Sequence, residues 1–151
     1  MYTVLYVDDN LADLHLFRIA AGEAGLPYHI VGEADCASAI QFLSTRQADL
    51  IVLDWNMPGM HGAEMLRLVR RGLGLKAPVL IFSTSSHEAD IRQARELGAS
   101  GWLQKRQNLD EFIESIALTL PAFLTGSLGH KSPALLHFDP VEDEGEPSPV
   151  A

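Results

Sequence analysis

Short apolar runs alternate along the chain with segments of helical period. Five runs read as strands, at residues 3–7, 29–33, 50–53, 78–82 and 101–103. Several are continuous rather than alternating, which marks strands covered on both faces. Between them, helical patterns occupy residues 12–24, 37–45, 62–71, 88–97 and 109–124. The last is the clearest: Leu109, Phe112, Ile113, Ile116, Ala117, Leu120, Phe123 and Leu124 keep helical spacing, and Asn108 is a good N-cap. Pro121 should kink or end it. Ser85-Ser86-His87-Glu88 fits a capping box ahead of the fourth helix, and Gly98 fits its stop. Five β-α pairs imply an α/β fold, a doubly wound parallel sheet of five strands with helices on both faces.

After Phe123 the pattern fails. Residues 126–151 contain Gly, Pro and acids and read as a mostly flexible tail behind a single domain of residues 1–125. The 151 residues suit one such domain with a real core. The net charge of −9 argues against nucleic acid and anionic membranes as partners. The tail holds −4 of it, from Asp139, Glu142, Asp143, Glu144 and Glu146 against Lys131, which leaves −5 on the domain. No apolar run approaches the ~20 residues of a membrane span. The N-terminus has no basic flank and turns acidic at once, unlike a signal peptide, so a cytoplasmic location is expected. Cys36 is the single cysteine, so no intrachain disulfide is available, and it reads as a small buried residue at a helix start rather than a nucleophile.

The candidate chemistry lies where open α/β sheets bind ligands, beyond the carboxyl ends of the strands. The first strand ends in Asp8-Asp9 and the third in Asp54. In the order 2-1-3-4-5 these strands are neighbours, and three carboxylates meet at one edge. Alone they raise each other's pKa and cost stability. A hard divalent cation such as Mg²⁺ relieves them, binding a few carboxylate oxygens and leaving other positions for water, carbonyl or phosphate. The fourth strand runs into Ser83-Thr84, a hydroxyl, and the fifth into Lys105, a cation. A phosphoryl group on Asp54 would find Mg²⁺, Lys105 and Ser83 each facing one oxygen, the charge-neutralising arrangement phosphoryl transfer requires.

These residues resemble the receiver domains of two-component response regulators, over about residues 1–124. The matching pieces are Val7-Asp8-Asp9, Leu53-Asp54-Trp55-Asn56-Met57-Pro58-Gly59, Val79-Leu80-Ile81-Phe82-Ser83, Gly98-Ala99-Ser100-Gly101-Trp102 and Lys105. The resemblance implies the flavodoxin-like receiver fold and a role for each residue. Asp54 would take a phosphoryl group from a histidine. Asp9, Asp54 and the Asn56 carbonyl would bind Mg²⁺ directly, with Asp8 acting through water. Ser83 would move to bond the phosphoryl group, and Lys105 would bond the Asp54 carboxylate and then the phosphate. Trp102 stands where the family has Tyr or Phe, the aromatic that turns inward when Ser83 moves. Arg106 replaces the family's proline after the lysine, so a cis bond is not required there. His61 stands where Asp is frequent and reads as a surface residue.

The stretch Lys105-Arg106-Gln107-Asn108-Leu109 and the late Phe123 are similar to a narrower group, single-domain regulators serving bacterial phytochromes. That implies a phytochrome-type histidine kinase as partner. Output would leave through the fourth helix, fifth strand and fifth helix. The apolar surplus of Phe112, Leu120, Phe123 and Leu124 suggests a homodimer. Three alternatives compete. A pseudo-receiver binding module would lack an acid or the lysine. A covalent hydrolase would need a second acid where Asn56 stands, and a lid. A dinucleotide site would need a Gly-rich turn in place of Asp8-Asp9-Asn10.

Overall fold

The computed structural model describes residues 1–25, 27–125 and 135–138. The strands are β1 (Tyr2–Val7), β2 (Tyr28–Glu33), β3 (Leu50–Leu53), β4 (Val79–Ser83), β5 (Gly101–Gln104) and β6 (Leu135–His137). The helices are α1 (Leu11–Glu23), α2 (Cys36–Thr45), α3 (Gly62–Arg67), α4 (Glu88–Glu96) and α5 (Leu109–Thr125). The sheet order is β2-β1-β3-β4-β5-β6, with the first five strands parallel and β6 antiparallel to β5.

The continuous apolar strands are explained by the two faces they serve. Side chains alternate across a strand. Leu5, Val7, Ile51, Leu53, Val79 and Ile81 therefore face α2, α3 and α4, and join Ala39, Leu43, Met65, Leu66 and Ala94. Val4, Tyr6, Leu50, Val52, Leu80, Phe82 and Leu103 face the other way and join Phe17, Ala20 and Ala21 of α1 with Phe112, Ile116 and Leu120 of α5. Cys36 opens α2 and is buried, as its setting suggested.

Local departures have local causes. The helix expected over residues 62–71 is α-helical only to Arg67 and then widens into a π-helical turn, Leu68–Gly72. That turn carries Arg70, whose Nε donates to the Gly98 carbonyl at 3.0 Å and whose Nη1 donates to those of Leu75 and Ala77 at 2.9 and 2.8 Å. One guanidinium thus ties the end of α3 to the loops flanking β4 and preceding β5. Arg70→Met keeps the stem and strips three carbonyls of a charged donor. It should cost about 2 kcal/mol, read as a fall of about 6 °C in a thermal melt; an unchanged melt would show the tie to be idle.

The capping box ahead of α4 does not form. His87 stands at the cap without a side-chain bond, and Ser85 instead accepts from the His87 N–H at 3.3 Å. Asn108 does cap α5, accepting from the Glu111 N–H at 3.0 Å. α5 runs on through Pro121 to Thr125, with Leu120 buried against the sheet and Ala122 also buried.

The sixth strand adds to the expected five and lies in the segment read as tail. It pairs Leu135 with Leu103, Leu136 with Trp102 and His137 with Gly101. Phe138 follows, bonding the Ser100 carbonyl at 3.0 Å and burying its ring in the α2–α4 side of the core. Gly101 allows the approach: a Cβ there would lie 2.8 Å from the Leu136 carbonyl and 2.8 Å from the Phe123 ring. Phe112 and Leu120 are buried, and Phe123 stacks on His137 with ring centroids 5.3 Å apart. The apolar surplus of α5 is therefore used within the chain. The remainder of the expected flexible tail, residues 126–134 and 139–151, lies outside the described residues. Among the described residues no helix is long and apolar enough to cross a membrane.

Candidate functional site

β1 and β3 run parallel with Val7 beside Leu53, so the residues that follow, Asp8 and Asp54, leave the sheet side by side. The Asp54 N–H donates to the Val7 carbonyl at 3.0 Å, carrying the ladder one residue past the strand. Neighbouring strands lie about 4.8 Å apart, a spacing at which two carboxylates reach one ion at about 2.1 Å each. One oxygen each from Asp8, Asp9 and Asp54 lies within 4.8 Å of the other two. Asp8 is buried, Asp54 half-buried and Asp9 exposed.

Burial pushes Asp54 up to about 6, and repulsion from Asp8 and Asp9 adds to it, against the pull of Lys105 and of the Asn56 N–H. A carboxylate held this uneasily near neutrality, beside two more acids, is one that a divalent cation stabilises. The donors are all oxygen, which suits Mg²⁺ or Mn²⁺ and not a soft metal. Asn56 is exposed two residues beyond Asp54.

Lys105 follows β5 and is held to β4 through its own N–H, which donates to the Ser83 carbonyl at 2.8 Å. Its ammonium does not bond Asp54, which differs from the role the resemblance implies. It bonds Asp8 Oδ2 at 2.6 Å and Asp13 Oδ2 at 2.9 Å. Burial alone would lower the Lys105 pKa, but bonds to Asp8 and Asp13 and the charge of Asp54 outweigh it and raise it. Asp8 is the most heavily engaged acid. Its Oδ2 also accepts from the buried Tyr6 hydroxyl at 2.8 Å, and its Oδ1 accepts from the Asn10 N–H at 3.0 Å. Burial, with the Asp8 carboxylate beside it, keeps Tyr6 protonated far above the ordinary phenol range. The first helix is capped by Asn10 and not by either neighbouring acid.

Ser83 is buried at the end of β4, and its Oγ accepts from the Ser85 N–H at 3.2 Å. Trp102 on β5 is also buried. Its Nε1 donates to the Ser85 carbonyl at 3.0 Å, and its ring lies 5.5 Å from that of Trp55. The aromatic is thus directed inward and tied to the same loop as Ser83. His61 is not a free surface residue: it caps α3, its Nδ1 accepting from the Ala63 N–H at 3.0 Å, and stands edge-on to Trp55. Sequence reasoning missed Tyr6 and Asp13. Among the described residues no peptide bond is cis, Lys105–Arg106 included.

Comparison with known proteins agrees with this geometry. The family model of the response regulator receiver domain matches residues 4–117. The chemotaxis protein CheY of Pseudomonas aeruginosa is 38% identical over 118 residues, covering 75% of this chain and 94% of CheY. The nitrate/nitrite response regulator NarL of Escherichia coli K12 is 36% identical over 88 residues, covering 58% of this chain but only 40% of NarL's length. The phosphorylated cyanobacterial phytochrome response regulator RcpA superposes with a TM-score of 0.75 at 27% identity, covering 83% of this chain and 95% of RcpA. The Mn²⁺-bound form of the response regulator Rcp1 superposes at 0.74 with 25% identity, covering 82% of this chain and 94% of Rcp1. With the sheet order, the paired acidic strand ends and the matched span in agreement, the chain belongs to the response regulator receiver domain family.

Proposed function

We propose that this chain is a phosphoacceptor that receives its phosphoryl group on Asp54 from a phosphohistidine of a histidine kinase or phosphotransfer protein. The observation that carries the reading is the meeting of Asp8, Asp9 and Asp54 oxygens within 4.8 Å, with Lys105 bonded to the same cluster. An Asp54 oxygen attacks phosphorus as the P–N bond breaks, and the imidazole leaves with its electron pair and takes up a proton. Asp9, Asp54 and the Asn56 carbonyl would hold Mg²⁺ directly. The three hydrogen bonds on Asp8 suit it to act through a bound water instead. The metal would supply charge neutralisation for phosphoryl oxygens. Ser83 and Lys105 serve two further oxygens.

The signal would leave through the shared loop. Ser83 and Trp102 both bond Ser85, so a Ser83 hydroxyl drawn to a phosphoryl oxygen disturbs Trp102 and the start of α4. With β6 laid on β5, the surface that reads this out is α4, β6 and α5. The likeness to RcpA supports a phytochrome-type kinase as donor. Pairing of two copies would use the same surface, in a cytoplasmic protein, and light scattering that finds a monomer at high concentration rules the pair out.

The test is to expose the chain to acetyl phosphate or a phosphoramidate with Mg²⁺ and locate the label by mass spectrometry. Label on Asp54, absent in EDTA, is expected. A label elsewhere overturns the acceptor assignment, and no label at all leaves the fold as a binding module without chemistry.

A further inference from the structure

An ammonium has three donors, and two of those on Lys105 are taken by Asp8 Oδ2 at 2.6 Å and Asp13 Oδ2 at 2.9 Å. Asp8 belongs to the acidic cluster. Asp13 does not, and nothing in the phosphoacceptor reading uses it. It stands in the first turn of α1, with its own N–H capped by the Asn10 side chain at 3.1 Å. An acid in a first helical turn needs no partner to be favourable there. A short bond to a lysine 92 residues away, through a side chain only 19% exposed, is a separate fact.

We propose that Asp13 is a positioning residue that holds Lys105 away from Asp54 until a phosphoryl group arrives. This rests on the phosphoacceptor reading above. Asp8 and Asp13 both lie on the β1–α1 side of the ammonium, so together they draw it from the Asp54 carboxylate, with which it makes no hydrogen bond. A lysine seated on Asp54 would oppose a divalent cation on the same oxygens, since like charges this close repel. Drawn aside onto Asp8 and Asp13, it leaves the Asp9 and Asp54 oxygens of the cluster open to the metal. The Tyr6 hydroxyl, 2.8 Å from Asp8 Oδ2, anchors Asp8 so that it does not follow the lysine. A phosphoryl group on Asp54 brings new negative oxygens, and these compete with Asp13 for Lys105. Asp13 therefore favours metal binding and disfavours phosphoryl retention, and it makes the first turn of α1 sensitive to the state of Asp54.

Asp13→Asn keeps the shape and the backbone cap but removes the charge that holds Lys105. Calorimetric titration of the whole chain with MgCl₂ alone, without a phosphodonor, should show affinity weakened roughly three- to tenfold. At saturating Mg²⁺, beryllofluoride should bind tighter, because Lys105 is released toward Asp54. Asp13→Glu, which retains the charge, should recover most of the Mg²⁺ affinity. In a Lys105→Met background the same Asp13→Asn change should alter Mg²⁺ affinity less than about twofold, as expected when coupled residues share one interaction. Wild-type Mg²⁺ affinity in Asp13→Asn, looser beryllofluoride, or an equal loss with and without Lys105 overturns the proposal. A wild-type chain that binds Mg²⁺ and labels on Asp54 while Asp13→Asn is unchanged overturns this inference alone. One that neither binds nor labels overturns the phosphoacceptor reading and this inference together.

Discussion

Asp54→Asn is expected to abolish phosphoryl uptake while raising the melting temperature of the metal-free protein at pH 7.5. The two effects have one origin. The acceptor carboxylate is buried and faced by Asp8 and Asp9, so its folded pKa stands at about 6 against 3.8 for the free group. An acid whose pKa is raised by folding stabilises the fold only while protonated. That contribution is complete below about pH 4 and is lost as pH climbs through about 6. Two units at about 1.4 kcal/mol each is an upper bound. Asp54 is only half-buried, and solvent screening brings the penalty to about 1 kcal/mol, or about 3 °C. Asparagine imitates the protonated acid at every pH. The variant should therefore melt with wild type at pH 4.5 and above it at pH 7.5 in EDTA. Saturating Mg²⁺ should reverse the order, because binding to the folded state alone adds about 2.7 kcal/mol at a hundred times Kd, and the variant lacks one of the acids that would hold the ion. Labelling of Asp54→Asn at the wild-type rate, or a lower melt than wild type in EDTA at pH 7.5, would falsify the account of Asp54.

The same electrostatics show which parts of the site could be read from sequence and which could not. Asp8, Asp9 and Asp54 were legible because strand order and register are low-information quantities: once two apolar runs are adjacent parallel strands, the residues just past their ends must be neighbours. Lys105 and Ser83 were legible for the same reason, as residues at the ends of β5 and β4. Side-chain partners do not follow from such a rule. Lys105 can reach several acids on a four-carbon stem. It goes to Asp8 and Asp13, and an acid in the first turn of a helix such as Asp13 has an ordinary explanation that hides its partner. Tyr6 was hidden likewise: an aromatic in a buried run reads as core, which it is, and its hydroxyl partner is visible only once Asp8 is placed two residues on and turned back toward it.

The sheet was legible to within a residue at most strand ends, because burial on both faces demands continuous apolar runs and few other structures do. β6 escaped because it is short and sits in an acidic, proline-containing segment. Its signal was Leu135-Leu136-His137-Phe138, an apolar island between Pro133 and Pro140. What makes it a strand is not its own propensity but the edge that Gly101 opens on β5 and the site that receives Phe138. Tertiary context of that kind overrides composition. α5 shows the same override: its packing tolerates Pro121, which local rules would have made a stop.

Gly62→Ala should be among the most destabilising single-methyl changes in the domain, although helix propensity alone predicts a gain. Alanine is worth up to about 1 kcal/mol over glycine inside a helix, and Gly62 is the first residue of α3. Against that stands space. A Cβ at Gly62 would lie 2.7 Å from Trp55 Cε3, 2.9 Å from Trp55 Cα and 3.0 Å from the Trp55 carbonyl oxygen. Two of these three atoms are backbone, so no rotamer change relieves them. The ring cannot swing away either, since Trp55 is fully buried between Trp102 and His61. The Gly62 N–H also donates to that same Trp55 carbonyl at 2.9 Å, so moving α3 outward lengthens the bond that ties its first residue to Trp55. Overpacking of this kind costs typically 1–3 kcal/mol, and contact with backbone puts the net loss near the upper end, at about 2–3 kcal/mol, or about 8 °C in the melt. Because Trp55 follows Asp54 directly, the strain reaches the acceptor. Phosphorylation by a small phosphodonor should fall more than tenfold at a temperature where the variant is still folded. Gly22→Ala in α1, where among the described residues nothing beyond its chain neighbours and its own helix backbone lies within 4 Å of the added carbon, isolates the propensity term and should stabilise slightly. If Gly62→Ala also stabilises, the close seating of α3 on Trp55 is wrong, and with it the rigid support assigned to the loop that presents Asp54.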